Sequence, residues 1–333
     1  MLLIDGRHGE GGGQILRTSI ALSALTNTPC TITHIRAHRP TPGLKSQHLM
    51  GLKAAAQICN ARTKGAHIQS ERVEFTPGSI TGGIYTIDIG TAGSITLILQ
   101  VLIPICLHAP DPVTLHITGG TDVKWSPTIA YFQNVVCSHL EQMGARVDIS
   151  VDQYGFYPKG GGRVRAKIFP WKTKNRITIR KRGDIERILL YSVASSSLKK
   201  PKVAERQATA CEKIFVPYDT DSHIQYAETL NPGSSICVVA DCEHTVLGAD
   251  ALGARGKPAE RVGDEAAVSL QKELESGYVL DSHMADQIVP YLALAGGSVT
   301  VSEITEHTRT NIWACNQFCK GQLTAKDHTL KTE

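Results

Sequence analysis

Two hydrophobic rhythms alternate along the chain. Residues 13–25, 45–59 and 94–108 carry apolar positions every three or four residues, the stripe of a packed helix; shorter Thr/Val/Ile-rich runs at 30–35 and 113–117 have the make-up of strands. One unit occurs three times: a glycine-flanked apolar helix, a short strand, a polar loop and a second helix. In the first copy, helix 13–25 and strand 30–35 lead through loop 36–43 to helix 45–59. The second has helix 94–108, strand 113–117, loop 118–122 and helix 127–143, which opens on Pro127, where a missing N–H costs nothing. The third has helix 284–295, strand 298–304, loop 305–311 and helix 311–320. Segments 72–75 and 163–168 alternate polar and apolar residues as half-buried strands do. The pattern predicts an α/β (α+β) fold of mixed βαβαββ units, with the polar loops gathered at one end, where such proteins bind ligands.

Between the second and third copies the rhythm breaks. A strand near 187–194, a helix at 201–214, strands at 223–228 and 235–240 and a long helix at 259–275 form a set of their own. We therefore expect a large domain of residues 1–183 and 279–333 interrupted by a small α/β domain at 184–278.

Composition narrows the class. With 333 residues, 41% hydrophobic and 20% charged, the chain can build a large core and is neither disordered nor fibrous. Its nine cysteines, an odd number, fall mostly inside apolar runs and lack zinc-ribbon spacing, which favours a reducing compartment without structural zinc. The N-terminus starts on a short apolar strand with no signal peptide, and apolar window 95–107 is shorter than the roughly 20 residues of a membrane span. The expectation is a cytoplasmic protein, or a nuclear one in a eukaryote. The net charge of +4 is mild but clustered: Arg36, His38, Arg39 and Lys45 in a loop stiffened by prolines, a second group at 176–187, and a third at Lys199, Lys200 and Lys202. Such clusters suit an anionic ligand, although for the last two solvated surface charge explains them equally well.

Candidate chemistry begins at Gly9-Glu10-Gly11-Gly12-Gly13-Gln14-Ile15-Leu16-Arg17, where glycines open a helix whose first N–H groups can face phosphate. It is neither a P-loop nor a dinucleotide fingerprint. A carboxylate beside a phosphate site makes sense with a divalent cation between them. A second glycine motif, 155–162, reads on its own as a sharp turn before a strand.

Taken together, these motifs resemble those of the RNA 3′-terminal phosphate cyclases: Gly-Glu-Gly-Gly-Gly-Gln-Ile-Leu-Arg, the basic loop ending Pro-Gly-Leu, Gly-Gly-Thr-Asp, Gly-Phe-Tyr-Pro-x-Gly-Gly-Gly, Ala-Asp-Gln and a late His-x-x-Thr-Asn, in the family's order over nearly the whole chain. The resemblance implies three βαβαββ repeats, each like the C-terminal domain of translation initiation factor three, plus a small thioredoxin-like insert. It implies ATP as cosubstrate, Mg²⁺ or Mn²⁺ as the divalent metal, RNA with a 3′-terminal phosphate as partner, and AMP carried on His307. It further implies Glu10 and Gln100 near the metal and triphosphate, and Gln14, Arg17, Arg36 and Arg39 near phosphates. Asp286 and Gln287 would contact the nucleoside, and Pro127 and Phe132 the adenine, although capping and core packing explain these residues too. His283 stands where a tyrosine commonly stacks on adenine, and Tyr154 where Arg or His commonly precedes the Gly-Phe-Tyr-Pro motif, which bears on nucleotide preference. A non-catalytic relative in ribosomal RNA processing and a carboxyvinyl transferase of related architecture are the alternatives. A homodimer is compatible with all three.

Overall fold

The computed structural model describes residues 1–319 and 323–332. Its first sheet joins β1 (Leu2–Asp5), β2 (Cys30–Thr33), β3 (Arg62–Lys64) and β4 (Val73–Thr76) in the order β1-β2-β4-β3, with β1 parallel to β2 and the other neighbours antiparallel. The second repeats this with β5 (Gly83–Asp88), β6 (Val113–Gly119), β7 (Val147–Gln153) and β8 (Gly162–Ile168), ordered β5-β6-β8-β7. The third begins at β9 (Ile177–Ile179). It is interrupted by β10 (Ile185–Ser195), β11 (Thr220–Ala227), β12 (Ser234–Cys242) and β13 (Val246–Leu252), which make their own sheet in the order β11-β10-β12-β13. It then resumes with β14 (Gly297–Thr300), β15 (Leu323–Lys326) and β16 (Thr329–Thr332), giving β9-β14-β16-β15 with the same pairing senses. Each of the three sheets thus has the connectivity of a βαβαββ unit.

Helices α1 (Gln14–Thr26) and α2 (Ser46–Ile58) serve the first unit and α3 (Ile95–Cys106) the second. Nearly every residue of α3 is apolar and buried, so it is the centre of the core; Ser94 caps it, its hydroxyl accepting from the Leu97 N–H at 3.2 Å. A long helix follows in three stretches: α4 (Ile129–Tyr131), a π-helical turn at Phe132–Val136, and α5 (Cys137–Gln142). The interrupting sheet carries α6 (Val203–Ile214) and α7 (Ala259–Glu275). Its strand β12 reads Ile-Cys-Val-Val-Ala because both its faces are covered: Ile236, Val238 and Ala240 pack under α6 and α7, while Cys237 and Val239 join the main core.

The third unit departs from the pattern expected of its sequence in two places. Helix 284–295 is two helices, α8 (Ser282–Gln287) and α9 (Val289–Ala295), because Pro290 has no N–H for the Asp286 carbonyl one turn earlier; the Asn311 Nδ2 donates to that carbonyl instead, at 2.6 Å. The stretch 305–311 is not a loop. Thr305 caps a helix there, its Oγ1 accepting from the Thr308 N–H at 3.2 Å, so α10 runs Glu306–Phe318 and the strand before it ends at Thr300. Residue 320, the expected end of that helix, lies outside the described residues. In the second unit Pro127 stands before the helix rather than in it: Thr128 is the cap, its hydroxyl accepting from the Tyr131 N–H. Strands β5, β7, β9, β13 and the β15–β16 hairpin, which turns on Asp327 and His328 at φ 45° and 62°, were not anticipated. Among the described residues no helix is long and apolar enough to cross a membrane.

Candidate active site

The late motif acts as one helical face. His307, Thr310 and Asn311 stand three and four residues apart on α10, so their side chains project together. Each meets a different part of the chain. His307 Nδ1 lies 3.1 Å from Glu10 Oε2, the Thr310 hydroxyl accepts from the Glu10 N–H at 3.3 Å, and Asn311 bridges the Asp286 carbonyl to the hydroxyl of Thr18 on α1. A helix start more than 290 residues downstream thereby fixes the glycine loop after β1.

That loop owes its glycines to crowding. Gly9 and Gly11 hold φ of 55° and 60°, and a Cβ would strike Thr310 Oγ1 at the first and the His38 ring at the second. The basic loop after β2 closes over it: the His38 N–H donates to the Gly11 carbonyl at 3.3 Å, and Arg39 pairs with Glu10. Arg36, in the left-handed region at φ 58°, spends its guanidinium on its own loop, donating to the Thr41 and Gly43 carbonyls at 2.7 and 2.9 Å. Of the expected phosphate ligands, Arg36 therefore braces the loop while Arg39 and Arg17 border the site.

Beside this junction a cleft is lined by Gln14, Arg17, Gln100, Phe132, Gln287 and Asn311 among others. Arg17 bonds the Gln14 amide oxygen, and Gln100 Nε2 donates to Gln287 Oε1 at 3.2 Å. Phe132 is fully buried and belongs to the core as well as to the cleft wall; Pro127, whose carbonyl accepts from Thr96 Oγ1, does not line the cleft. His283 is exposed, its ring near perpendicular to that of Tyr131 with centroids 6.4 Å apart. The His48 pKa is pushed down to about 3 by burial and by Arg17, Arg36 and Lys45, which makes it a neutral spacer among cations.

The electrostatics favour an uncharged imidazole at His307. Partial burial lowers the His307 pKa, Asp286 opposes that, and Arg17 and Arg39 reinforce it. Burial raises the Asp286 carboxyl, with His307, His283 and Arg17 pulling it back. Burial also brings the Arg17 guanidinium down to about 10, and its Nε has no partner. Two buried oxygens at the junction make no aligned hydrogen bond: Gln100 Oε1, and Glu10 Oε2, beside which His307 Nδ1 stands at 3.1 Å. Carboxylate and amide oxygens are the protein ligands a hard cation takes alongside phosphate oxygens, and the unpartnered Arg17 Nε is a donor suited to phosphate itself.

Two structural residues were not singled out from the sequence. Asp281, 1% exposed, caps α8 by accepting from the His283 and Met284 N–H groups at 3.1 and 2.8 Å; it also accepts from Tyr131 Oη at 2.6 Å and the Gly248 N–H at 3.0 Å. Asp250 reaches the other way, from β13 to the Thr128 N–H at 2.7 Å. An Asp directly before an apolar helical run is a capping signal that could have exposed Asp281. The Gly-Phe-Tyr-Pro motif is a junction: Thr121 and Gly155 exchange hydrogen bonds, and a Cβ on Gly233 of the interrupting segment would overlap the Phe156 ring.

Comparison with known proteins agrees with these motifs. Residues 8–325 match the family model described as RNA 3′-terminal phosphate cyclase. Proteins named RNA 3′-terminal phosphate cyclase from Pyrococcus abyssi and Pyrococcus furiosus are 45% and 46% identical to it over 322 and 323 residues, each alignment covering 96% of this chain and 93% of the relative. One of the same name from Methanosarcina barkeri is 46% identical over 321 residues, 96% of this chain and 94% of its own. The glycine loop, the α10 face and this likeness along nearly the full length together show that the chain belongs to the RNA 3′-terminal phosphate cyclase family.

Proposed function

We propose that this protein uses ATP to convert the 3′-terminal phosphate of an RNA into a 2′,3′-cyclic phosphate, carrying AMP covalently on His307. The observation that carries the proposal is His307 itself, half-exposed, with Nδ1 turned to Glu10. A proton held at Nδ1 leaves the Nε2 lone pair free, and a pKa below the usual range keeps the ring neutral near pH 7. In the first step Nε2 attacks the α-phosphorus of ATP, an N–P bond forms, and pyrophosphate leaves. An oxygen of the RNA 3′-phosphate then attacks that phosphorus, the N–P bond breaks, and its electron pair returns to His307. Finally the vicinal 2′-oxygen attacks the terminal RNA phosphorus, losing its proton to solvent, and AMP departs.

Arg17 and Arg39 suit the charge that gathers on the phosphoryl oxygens, since a guanidinium can pair with two oxygens at once. Gln14, Gln100, Asp286 and Gln287 would hold the nucleotide in the cleft, with the exposed His283 ring against the base. A divalent cation, Mg²⁺ or Mn²⁺, fits the unpartnered oxygens of Glu10 and Gln100 and would neutralise phosphate charge there.

The test is incubation with ATP labelled at the α-phosphate and Mg²⁺, without RNA, followed by intact-mass analysis. The expected result is an acid-labile AMP adduct on the parent protein and none on His307→Ala. A folded, ATP-binding parent that forms no adduct with either metal would overturn the proposal.

A further inference from the structure

The third basic cluster and the second glycine motif play no part in the chemistry above, yet the fold brings them to one surface. Asp122 and Phe156 pair as an isolated parallel bridge, so the loop carrying Lys124 and Trp125 leaves that pair beside the turn carrying Tyr157 and Lys159. That turn is held by the interrupting segment: the Lys159 N–H donates to Asn231 Oδ1 at 3.2 Å, and Asn231 Nδ2 donates to the Tyr157 carbonyl at 2.6 Å. Ser195 in turn holds the 229–233 loop, its hydroxyl donating to the Gly233 carbonyl at 3.1 Å and accepting from Thr229 Oγ1 at 2.7 Å. Only the 3₁₀ turn Ser196–Leu198 separates Ser195 from Lys199 and Lys200.

The surface so assembled has an unusual make-up. Trp125 is 93% exposed and Tyr157 76%, and each is flanked by an exposed lysine. Trp125 also sits at φ 64°, a costly backbone for a bulky aromatic residue that buries almost nothing here. Neither ring contributes to the core. Lys124, Lys159, Lys199 and Lys200 are all exposed, Lys199 standing over the Tyr226 ring and within reach of Glu205, so the patch is a mainly cationic surface carrying bare aromatic rings. Ring faces that accept any base and ammonium groups that follow a phosphate backbone are the two parts of a sequence-tolerant single-strand site. A protein partner would more commonly meet an apolar patch from which lysine is depleted.

We infer that this surface binds the single-stranded body of the RNA substrate, with bases of the nucleotides upstream of the reacting terminus stacked on Trp125 and Tyr157 and their phosphates along the lysines. The inference rests on the proposed RNA chemistry but concerns the RNA away from its end.

It predicts that affinity grows with RNA length. The measurement is equilibrium binding of 3′-phosphorylated oligoadenylates of 2 and 12 nucleotides, by fluorescence anisotropy and without ATP, for the parent, Trp125→Ala/Tyr157→Ala and Lys199→Glu/Lys200→Glu. The parent should hold the 12-mer well above the dinucleotide. The aromatic variant should lose about tenfold for the 12-mer, the scale of a lost base stack, and little for the dinucleotide. The lysine variant should show a shallower salt dependence. Adduct formation with labelled ATP, read in parallel, should be unchanged in both, and these exposed positions should leave thermal unfolding unchanged. Equal 12-mer affinity in parent and aromatic variant would overturn the inference while leaving the adduct chemistry standing. Loss of the adduct in the parent would instead count against the proposed function alone, since the binding result does not depend on it.

Discussion

Asp281 offers the sharpest check on how the elements around the cleft are held. One carboxylate serves three elements: the first turn of α8, the hydroxyl of Tyr131 on α4, and the outward N–H of Gly248 on the edge strand β13. Asp281→Ala removes a helix cap, worth about 1 kcal/mol. It also strands two buried donors, the Tyr131 hydroxyl and the Gly248 N–H, at about 1–3 kcal/mol each. Part of this is returned, because burial raises the Asp281 pKa and the native state carries the cost of an enclosed charge. The net expectation is about 3 kcal/mol of lost stability, a fall of roughly 6–12 °C in the unfolding midpoint at about 2–4 °C per kcal/mol. Asp281→Asn keeps the cap oxygen but turns an amide N–H toward Gly248, and should lose about half as much. Thermal unfolding followed by circular dichroism reads both variants. Midpoints within 2 °C of the parent for Asp281→Ala would mean that the carboxylate's desolvation cancels its hydrogen bonds, and the reasoning would fail.

Two pH predictions follow from burial. Because the His307 pKa lies below its ordinary value, the neutral ring persists as pH falls; the kcat/KM for adduct formation should therefore stay level down to about pH 6.5 and decline only below it, and a decline centred above pH 7 would contradict the assignment. Asp122, enclosed beside Thr121, has its pKa pushed up from 3.8 to about 6 by burial. A raised folded-state pKa gives stability that is complete below about pH 4 and lost as pH rises through 6, so Asp122→Asn should gain about 2–3 kcal/mol over the parent at pH 7.5 and nothing at pH 4. Urea midpoints at the two pH values decide it; parallel pH trends in parent and variant would sink the idea.

The helices and the glycine punctuation were legible in the sequence because those features are local, whereas the break expected between the second and third units falls inside the third, after β9. α3 announces itself by a run that is apolar but for Thr96 and Gln100, and α7 by its period. His307 was identifiable only through its motif, and its helical setting was missed because Glu-His-Thr-Arg-Thr-Asn has no apolar stripe; the signal lay in Thr305, a cap residue just before it. Pro290 marked the break between α8 and α9, but the partner that satisfies the freed carbonyl, Asn311, comes from a distant turn that no window contains. Strands β9 and β14 pair across the whole interrupting segment, and a three-residue strand has no pattern to read until its partner is known. Arg36 looked like Arg39 in the sequence. Only the path of the loop separates a residue that braces its own backbone from one that pairs with Glu10.

The spacing between Glu10 and Thr310, 300 residues apart and joined by one hydrogen bond, also governs when this protein can act. Ribosomes deliver Glu10 some 300 residues before Thr310, and at about 5–20 residues per second the interval amounts to tens of seconds. Throughout that time the nascent glycine loop lacks the Thr310 hydroxyl that meets it. Any product that stops short of α10 keeps the glycine motif but loses the Thr310 and Asn311 contacts that fix it, so truncated copies carry the motif without the junction it helps to build.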